Sequence, residues 1–111
     1  MMYNFASKKC IACEGGVPPL DKETALKYLA EIPGWNISED GKNINRIFEF
    51  KNFNGSMVFV NKVAETAESE GHHPDIHIFY DKVKLVLETH AIGGLSDNDF
   101  ILAAKINRLT D

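Results

Sequence analysis

Apolar and polar positions along the chain fall into helical and strand-like periods by turns. Leu26, Leu29 and Ile32 recur at three-residue spacing and predict a helix with that face toward a core. Asp21, following Leu20, is its predicted N-cap, with acidic Glu23 in the first turn. Pro33-Gly34 stops it. Trp35-Asn36-Ile37-Ser38 alternates as a strand, and Glu39-Asp40-Gly41-Lys42 is a hairpin turn, because glycine tolerates the positive φ such turns need. The return strand covers residues 44–50, with Ile44, Arg46, Phe48 and Phe50 on one face. Asn52 or Asn54 caps a second helix whose Phe53, Met57, Val60, Ala64 and Ala67 form one stripe, read as core. Gly71 ends that helix and Pro74 prevents its continuation.

Residues 75–80 alternate as a third strand, with Ile76, Ile78 and Tyr80 set against His77 and Phe79. Asp81-Lys82 is the predicted tight turn. Val83, Leu85 and Leu87 alternate with Lys84, Val86 and Glu88 in the partner strand, which ends at Thr89-His90. Gly93-Gly94 breaks the chain, and Ser96-Asp97-Asn98-Asp99 is a capping box. Phe100, Leu102, Ala103, Ala104, Ile106 and Leu109 then give a final amphipathic helix. The order is α-β-β-α-β-β-α. Hairpins imply antiparallel pairing, so the expected class is α+β: a four-stranded antiparallel sheet with three helices packed on one face. Its two edge strands could pair between subunits.

Length and composition change this picture little. A chain of 111 residues, 44% hydrophobic and 25% charged, fits one soluble domain with a core of its own. Residues 1–19 read as an irregular N-terminal arm and residues 20–111 as a single domain. The net charge of −4 argues against nucleic-acid binding. Apolar runs are too short to span a bilayer, and Met1-Met2-Tyr3-Asn4-Phe5 lacks a signal-peptide pattern, so a cytoplasmic location is expected. Cys10 and Cys13 form a lone CxxC in a Gly/Pro-rich stretch. A zinc ribbon needs a second ligand pair, so they read as reduced thiols.

The histidines do change it. All four, His72, His73, His77 and His90, fall in one short span, and histidine exchanges protons near neutral pH. His72 and His73 sit at a helix-to-strand corner. A strand that leaves this corner and a partner that returns to it bring His90 back beside them, where three imidazoles can share acid and base roles. His77 lies along the strand, farther from that mouth, and reads as a face residue. Zinc held by three histidines is the rival, but adjacent side chains of an extended segment diverge, and no HExxH helix is present. No serine or cysteine stands in a nucleophile-elbow context.

Glu68-x-x-x-His72-His73-Pro74, Tyr80 after five residues, His90 after nine more and Asp99 after eight more resemble the signature of pterin-4a-carbinolamine dehydratases. Pro33-Gly34-Trp35 and Gly93-Gly94-Leu95-Ser96-Asp97-Asn98-Asp99-Phe100 resemble that family too, and the likeness runs from about Leu20 to the C-terminus. The resemblance implies a lyase that dehydrates 4a-hydroxytetrahydropterin, left by an aromatic amino acid hydroxylase, to quinonoid dihydropterin. Such an enzyme serves pterin cofactor recycling and tetrahydrobiopterin biosynthesis and needs no metal or organic cofactor. It implies a homodimer or homotetramer. It also leaves room for a non-catalytic pterin- or protein-binding scaffold, since some animal members stabilise a transcription-factor dimer.

The resemblance makes His72, His73 and His90 the catalytic residues. It places Glu68, Gly71, Glu88, Thr89 and Ala91 in substrate binding, with the backbone around 71–73 and 88–91 meeting the flat edge of the pterin. His72 and His90 take the acid–base work and His73 orients the ring. Glu68, four residues before His72, can steady a charged imidazole there. Asp99 reads as a capping partner rather than a catalyst. Two positions depart from the family pattern. Gly71 stands where Asp is common, and Ile76 where Trp is frequent, which removes an expected aromatic wall.

Overall fold

The Asp21 side chain accepts the Thr24 N–H at 2.8 Å and starts α1, Lys22–Leu29. The computed structural model describes residues 3–11 and 17–110. After α1 come β1 (Asn36–Ile37), β2 (Ile44–Glu49), α2 (Phe53–Glu70), β3 (Asp75–Phe79), β4 (Lys82–Leu87) and α3 (Asp97–Arg108). Single 3₁₀ turns lie at Phe5–Ser7 and His90–Ile92. This is the expected α-β-β-α-β-β-α order. The sheet is antiparallel throughout, in the order β1-β2-β4-β3, so β2 and β4 are central.

Register places the core. Ile44, Arg46 and Phe48 of β2 stand opposite Leu87, Leu85 and Val83 of β4. On this face Ile44, Phe48, Val83, Leu85 and Leu87 are buried together under the helices. Asn45, Ile47, Glu49, Lys84 and His77 occupy the other face, where they are partly or wholly exposed. His77 pairs in register with Lys84 there.

Three expectations about packing need correction. In α1 the inward residues are Ala25, Tyr28 and Leu29, with Ile32 beyond the helix end, while Leu26 is 48% exposed. Tyr28 sets this rotation by packing edge-on against Phe5 and Phe100, with ring centroids at 5.0 and 5.3 Å. In α2 the buried stripe is Ser56, Phe59, Val63 and Ala67. Phe53 is 49% exposed and Ala64 is exposed; Met57 and Val60 are only partly covered. The helix carries apolar residues on two faces, and Phe59 decides between them by meeting Phe48 at 4.6 Å and Phe50 at 5.0 Å. The hairpin loop is Tyr80-Asp81, not Asp81-Lys82, because Lys82 already pairs with Phe79. Tyr80 takes a left-handed φ of 51°, and its carbonyl accepts the Ser56 hydroxyl at 2.7 Å.

Among the described residues of the arm one 3₁₀ turn forms, and Phe5 within it is docked. Phe5 is 1% exposed and packs against Phe100 and Tyr28. α3 is therefore enclosed nearly all round, from Asn98 through Ala104 and at Ile106. At the sheet's other end Asn107 Oδ1 accepts from Trp35 Nε1 at 2.8 Å and Arg46 Nη1 at 2.7 Å. The Pro33 carbonyl accepts from the same Arg46 nitrogen and from Asn107, each at 3.1 Å. A Cβ on Gly34 would stand 2.7 Å from Arg46 Cζ, so Pro33-Gly34-Trp35 is a clamp joining the turn to β2 and α3.

Ile32→Ala should cost about 2–5 kcal/mol of stability, as for a fully buried aliphatic side chain. Leu26→Ala should stay within about 0.5 kcal/mol, as for an exposed site. Urea unfolding of both variants checks this rotation of α1, and equal losses would contradict it.

Candidate active site

Gly71 closes α2 with φ at 66° and directs its N–H to the carbonyls of Ala67 and Glu68. The left-handed cap suits glycine, and no atom lies within 4 Å of where a Cβ would stand. Gly71 therefore serves the turn itself. The His72 N–H also returns to the Ala67 carbonyl, at 3.2 Å. The chain leaves this corner along β3 and comes back along β4, as the hairpin predicts. Beyond β4, Thr89 and Gly94 bridge through N–H···O bonds of 2.8 and 3.4 Å. The 3₁₀ turn at His90–Ile92 loops out between them and closes at Gly93, φ 67°.

These two segments face one cavity of about 390 Å³. Gly71, His72 and His73 line it from the corner, and Glu88, Thr89, His90 and Ala91 line it from the returning end. All three histidines expected to act together thus share a site. Ile11, Glu70 and Asn98 complete the wall. A larger cavity, about 640 Å³, lies along Arg46, Phe48, Phe59 and Leu109 and contains no histidine. Size does not mark the chemistry in this fold.

Asp99 is fully buried and organises the site. Its Oδ2 accepts the Ser96 N–H at 3.0 Å and the Thr89 hydroxyl at 2.8 Å. Ser96 Oγ lies 2.7 Å from Thr89 Oγ1. Since the Thr89 proton goes to Asp99, the Ser96 hydroxyl is the donor in that contact. Asp99 Oδ1 meets His72 Nε2 at 2.6 Å. A carboxylate only accepts, so this contact assigns a proton to Nε2, and in the neutral ring the lone pair is then on Nδ1. Asp99 is the capping partner expected from the sequence, and it is also the partner of His72.

Glu68 stands elsewhere than expected. Its Oε1 lies 2.8 Å from Nε2 of His73, not from His72, and it is absent from the cavity wall. Both groups of that pair are well exposed. Glu68 and His73 are five positions apart across the helix end and its cap, and the left-handed Gly71 rotates His72 away toward α3. Glu88 Oε2 lies 3.9 Å from His90 Nδ1, an ion-pair separation; the His90 side chain is 75% exposed. Thr89 is committed to Asp99 by its hydroxyl and to Gly94 by its backbone, so it offers the cavity a contact surface. Ile76 packs against the core and does not line the site. His77 lies on the far face of the sheet and does not line the cavity.

The arm supplies what local sequence patterns could not show. Glu70 Oε1 accepts the Cys10 N–H at 2.8 Å, and its Oε2 lies 3.6 Å from Lys105 Nζ. The Cys10 N–H first, and Lys105 with it, hold the Glu70 carboxyl below its ordinary value. Burial, reinforced by Glu70, pushes the Cys10 thiol up to about 12, so it is protonated at neutral pH. Its Sγ meets the Asn98 carbonyl at 3.6 Å. Cys13 lies outside the described residues. Among the described residues no group of three His, Cys, Asp or Glu is placed to hold a metal ion, and no helix is long and apolar enough to cross a membrane.

A family profile described as Pterin 4 alpha carbinolamine dehydratase matches residues 18–109. A relative from Nitrosospira multiformis assigned to pterin-4-alpha-carbinolamine dehydratase is 48% identical over 106 residues, 96% of this chain and 92% of its own. One of the same assignment from Halorhodospira halophila is 44% identical over 96% of this chain and 97% of its own. The crystal structure of a transcriptional coactivator/pterin dehydratase from Brucella melitensis superposes with a TM-score of 0.79 at 29% identity, covering 84% of this chain and 99% of that one. A pterin dehydratase-like protein identified as a RuBisCO assembly factor in the α-carboxysome shares the fold, with a TM-score of 0.60 at 19% identity over 68% of this chain and 88% of that one. Profile, relatives and fold agree, and the chain belongs to the pterin-4a-carbinolamine dehydratase family of hydro-lyases.

Proposed function

We propose that this protein dehydrates 4a-hydroxytetrahydropterin to quinonoid dihydropterin by histidine acid–base catalysis, in pterin cofactor recycling after an aromatic amino acid hydroxylase. The observation that carries the reading is the shared cavity: three imidazoles from two chain segments, one of them fixed by a buried carboxylate. The reaction breaks the C4a–O bond and the N5–H bond. The hydroxyl leaves as water with a donated proton, and the N5 electron pair becomes the new C4a=N5 bond. One group must give a proton and another must take one.

His72 is the base. Its Nε2–H is committed to Asp99, so Nδ1 has the lone pair that accepts the N5 proton. As that proton arrives, the nearby carboxylate stabilises the imidazolium. His90 is the acid and donates to the departing hydroxyl, with the Glu88 carboxylate 3.9 Å away to balance its charge. His73, braced by Glu68, hydrogen-bonds the ring and orients it. Gly71 and Ala91 leave room for a flat heterocycle between the two segments. Exposed Phe53, Val58, Phe79 and Tyr80, together with the edges at β1 and β3, support assembly of this chain into a homodimer or homotetramer.

His72→Ala and His90→Ala should each slow disappearance of hydroxylase-generated carbinolamine by about 10²–10⁴-fold. Unchanged rates in both would remove the assignment, and pterin binding without turnover in the wild type would favour a non-catalytic scaffold. Asp99→Asn turns an N–H₂ toward His72, forces the ring proton onto Nδ1 and should lower kcat by a factor on the order of 10²–10⁴ while the chain still folds. A folded Asp99→Asn protein with full kcat would break the link between tautomer and turnover. Sedimentation at micromolar concentration should give a dimer or tetramer mass; a monomer would dismiss assembly.

A further inference from the structure

Ile11 is 77% exposed, yet its backbone is held from both sides. Its N–H donates to Asn98 Oδ1 at 2.9 Å, and its carbonyl accepts from Asn98 Nδ2 at 2.5 Å. The side-chain amide thus pairs with the arm as a neighbouring strand would, by one donor and one acceptor. One residue earlier, the Cys10 N–H is taken by Glu70, itself steadied by Lys105. Asn98 is buried, and Glu70 is largely shielded. Two shielded polar side chains on α2 and α3 therefore fix two backbone residues whose outermost group is a bare, β-branched hydrocarbon at the rim of the histidine cavity. The other end of the arm is anchored independently by Phe5 in the core. Neither clamp buries the Ile11 side chain. Single exposed apolar residues are ordinary on a protein surface. What sets Ile11 apart is its place on the cavity wall, with its backbone held by a buried amide and its neighbour's by a shielded carboxylate.

We infer that Ile11, presented by the Glu70 and Asn98 clamps, is a substrate-contacting residue: the arm is a wall of the cavity, and the isoleucine packs on the apolar face of the bound reduced pterin ring. This inference rests on the dehydratase reading and adds a specificity-determining contact to it. The Ile11 side chain has no proton to exchange, so it acts through contact with the ring. Restricted χ1 freedom makes the branched side chain a stiff surface, so little rotamer entropy is lost on contact. Glu70 and Asn98 act through the arm as positioning residues. Glu70 is ionised at neutral pH, since its carboxyl is held below the ordinary 4.5, first by the Cys10 N–H.

The test uses the full chain, with kcat and KM from the carbinolamine assay and Kd for 7,8-dihydrobiopterin by fluorescence. Ile11→Asp, an exposed substitution that leaves the melting temperature in place, should raise KM and Kd about tenfold, with the loss falling on KM rather than kcat. Glu70→Ala should do the same and speed hydrogen exchange of the Cys10 amide. Glu70→Gln keeps an acceptor for that N–H and should restore both. Unchanged KM and Kd in Ile11→Asp overturn the wall. A Glu70→Ala protein with fast exchange and unchanged KM overturns the positioning role. Wild-type protein that neither turns over carbinolamine nor binds the dihydropterin overturns the dehydratase reading instead, while the exchange data still report on the clamp.

Discussion

A fully buried carboxylate is costly unless its oxygens are filled, and Asp99 fills both. The Ser96 N–H and the Thr89 hydroxyl take one oxygen; His72 takes the other. These partners come from three places in the chain: the start of α3, the end of the β4 return and the corner after α2. One side chain therefore sets the relative positions of the segments that make the site. The N-terminus of α3 adds its positive end to the same balance. Ser96 donates to Thr89 and Thr89 to Asp99, while the His72 ring donates to Asp99 from the cavity side, so the hydrogen bonds converge on one carboxylate.

Around this centre the fold provides rigidity in unequal amounts. β4 lies between β2 and β3 with Val83, Leu85 and Leu87 fully buried, so the strand that returns the chain to the site has little freedom. At the far end of the sheet the Arg46–Asn107–Pro33 clamp locks the turn before β1. The histidines sit where this rigid frame ends: His72 largely buried, His73 and His90 at the rim. Such a gradient suits a reaction in which one ring must hold its tautomer while others meet a substrate entering from solvent. The arm extends the frame to the side of the cavity that the two histidine segments leave open.

Much of this was legible in the sequence because it follows from local rules. Asp21 and Ser96 cap their helices where the pattern placed them, Asn52 is the one of the two offered asparagines that caps α2, and Gly71 ends it. Alternation at Val83, Leu85 and Leu87 identified a buried strand face, and the hairpin brought His90 back to His72 and His73. What local rules missed was rotation and long-range pairing. Leu26 and Phe53 fit an inward stripe as well as Ala25 and Phe59 did, because both helices carry apolar residues on more than one face. Only the aromatic contacts of Tyr28 and Phe59 chose between them. Glu68 is near His72 in helical spacing, but the left-handed cap hands it to His73 instead.

The chain's own pattern determined the element order, the antiparallel pairing and the gathering of three imidazoles, since periodicity, caps and turns act over a few residues at a time. Tertiary structure decided which carboxylate serves which histidine, which stripe of each helix is buried and that Ile11 borders the cavity. Asp99 reaches His72 across 27 positions and Asn98 reaches Ile11 across 87. No local period records a contact over such distances; it exists only once the sheet and the last helix have packed together.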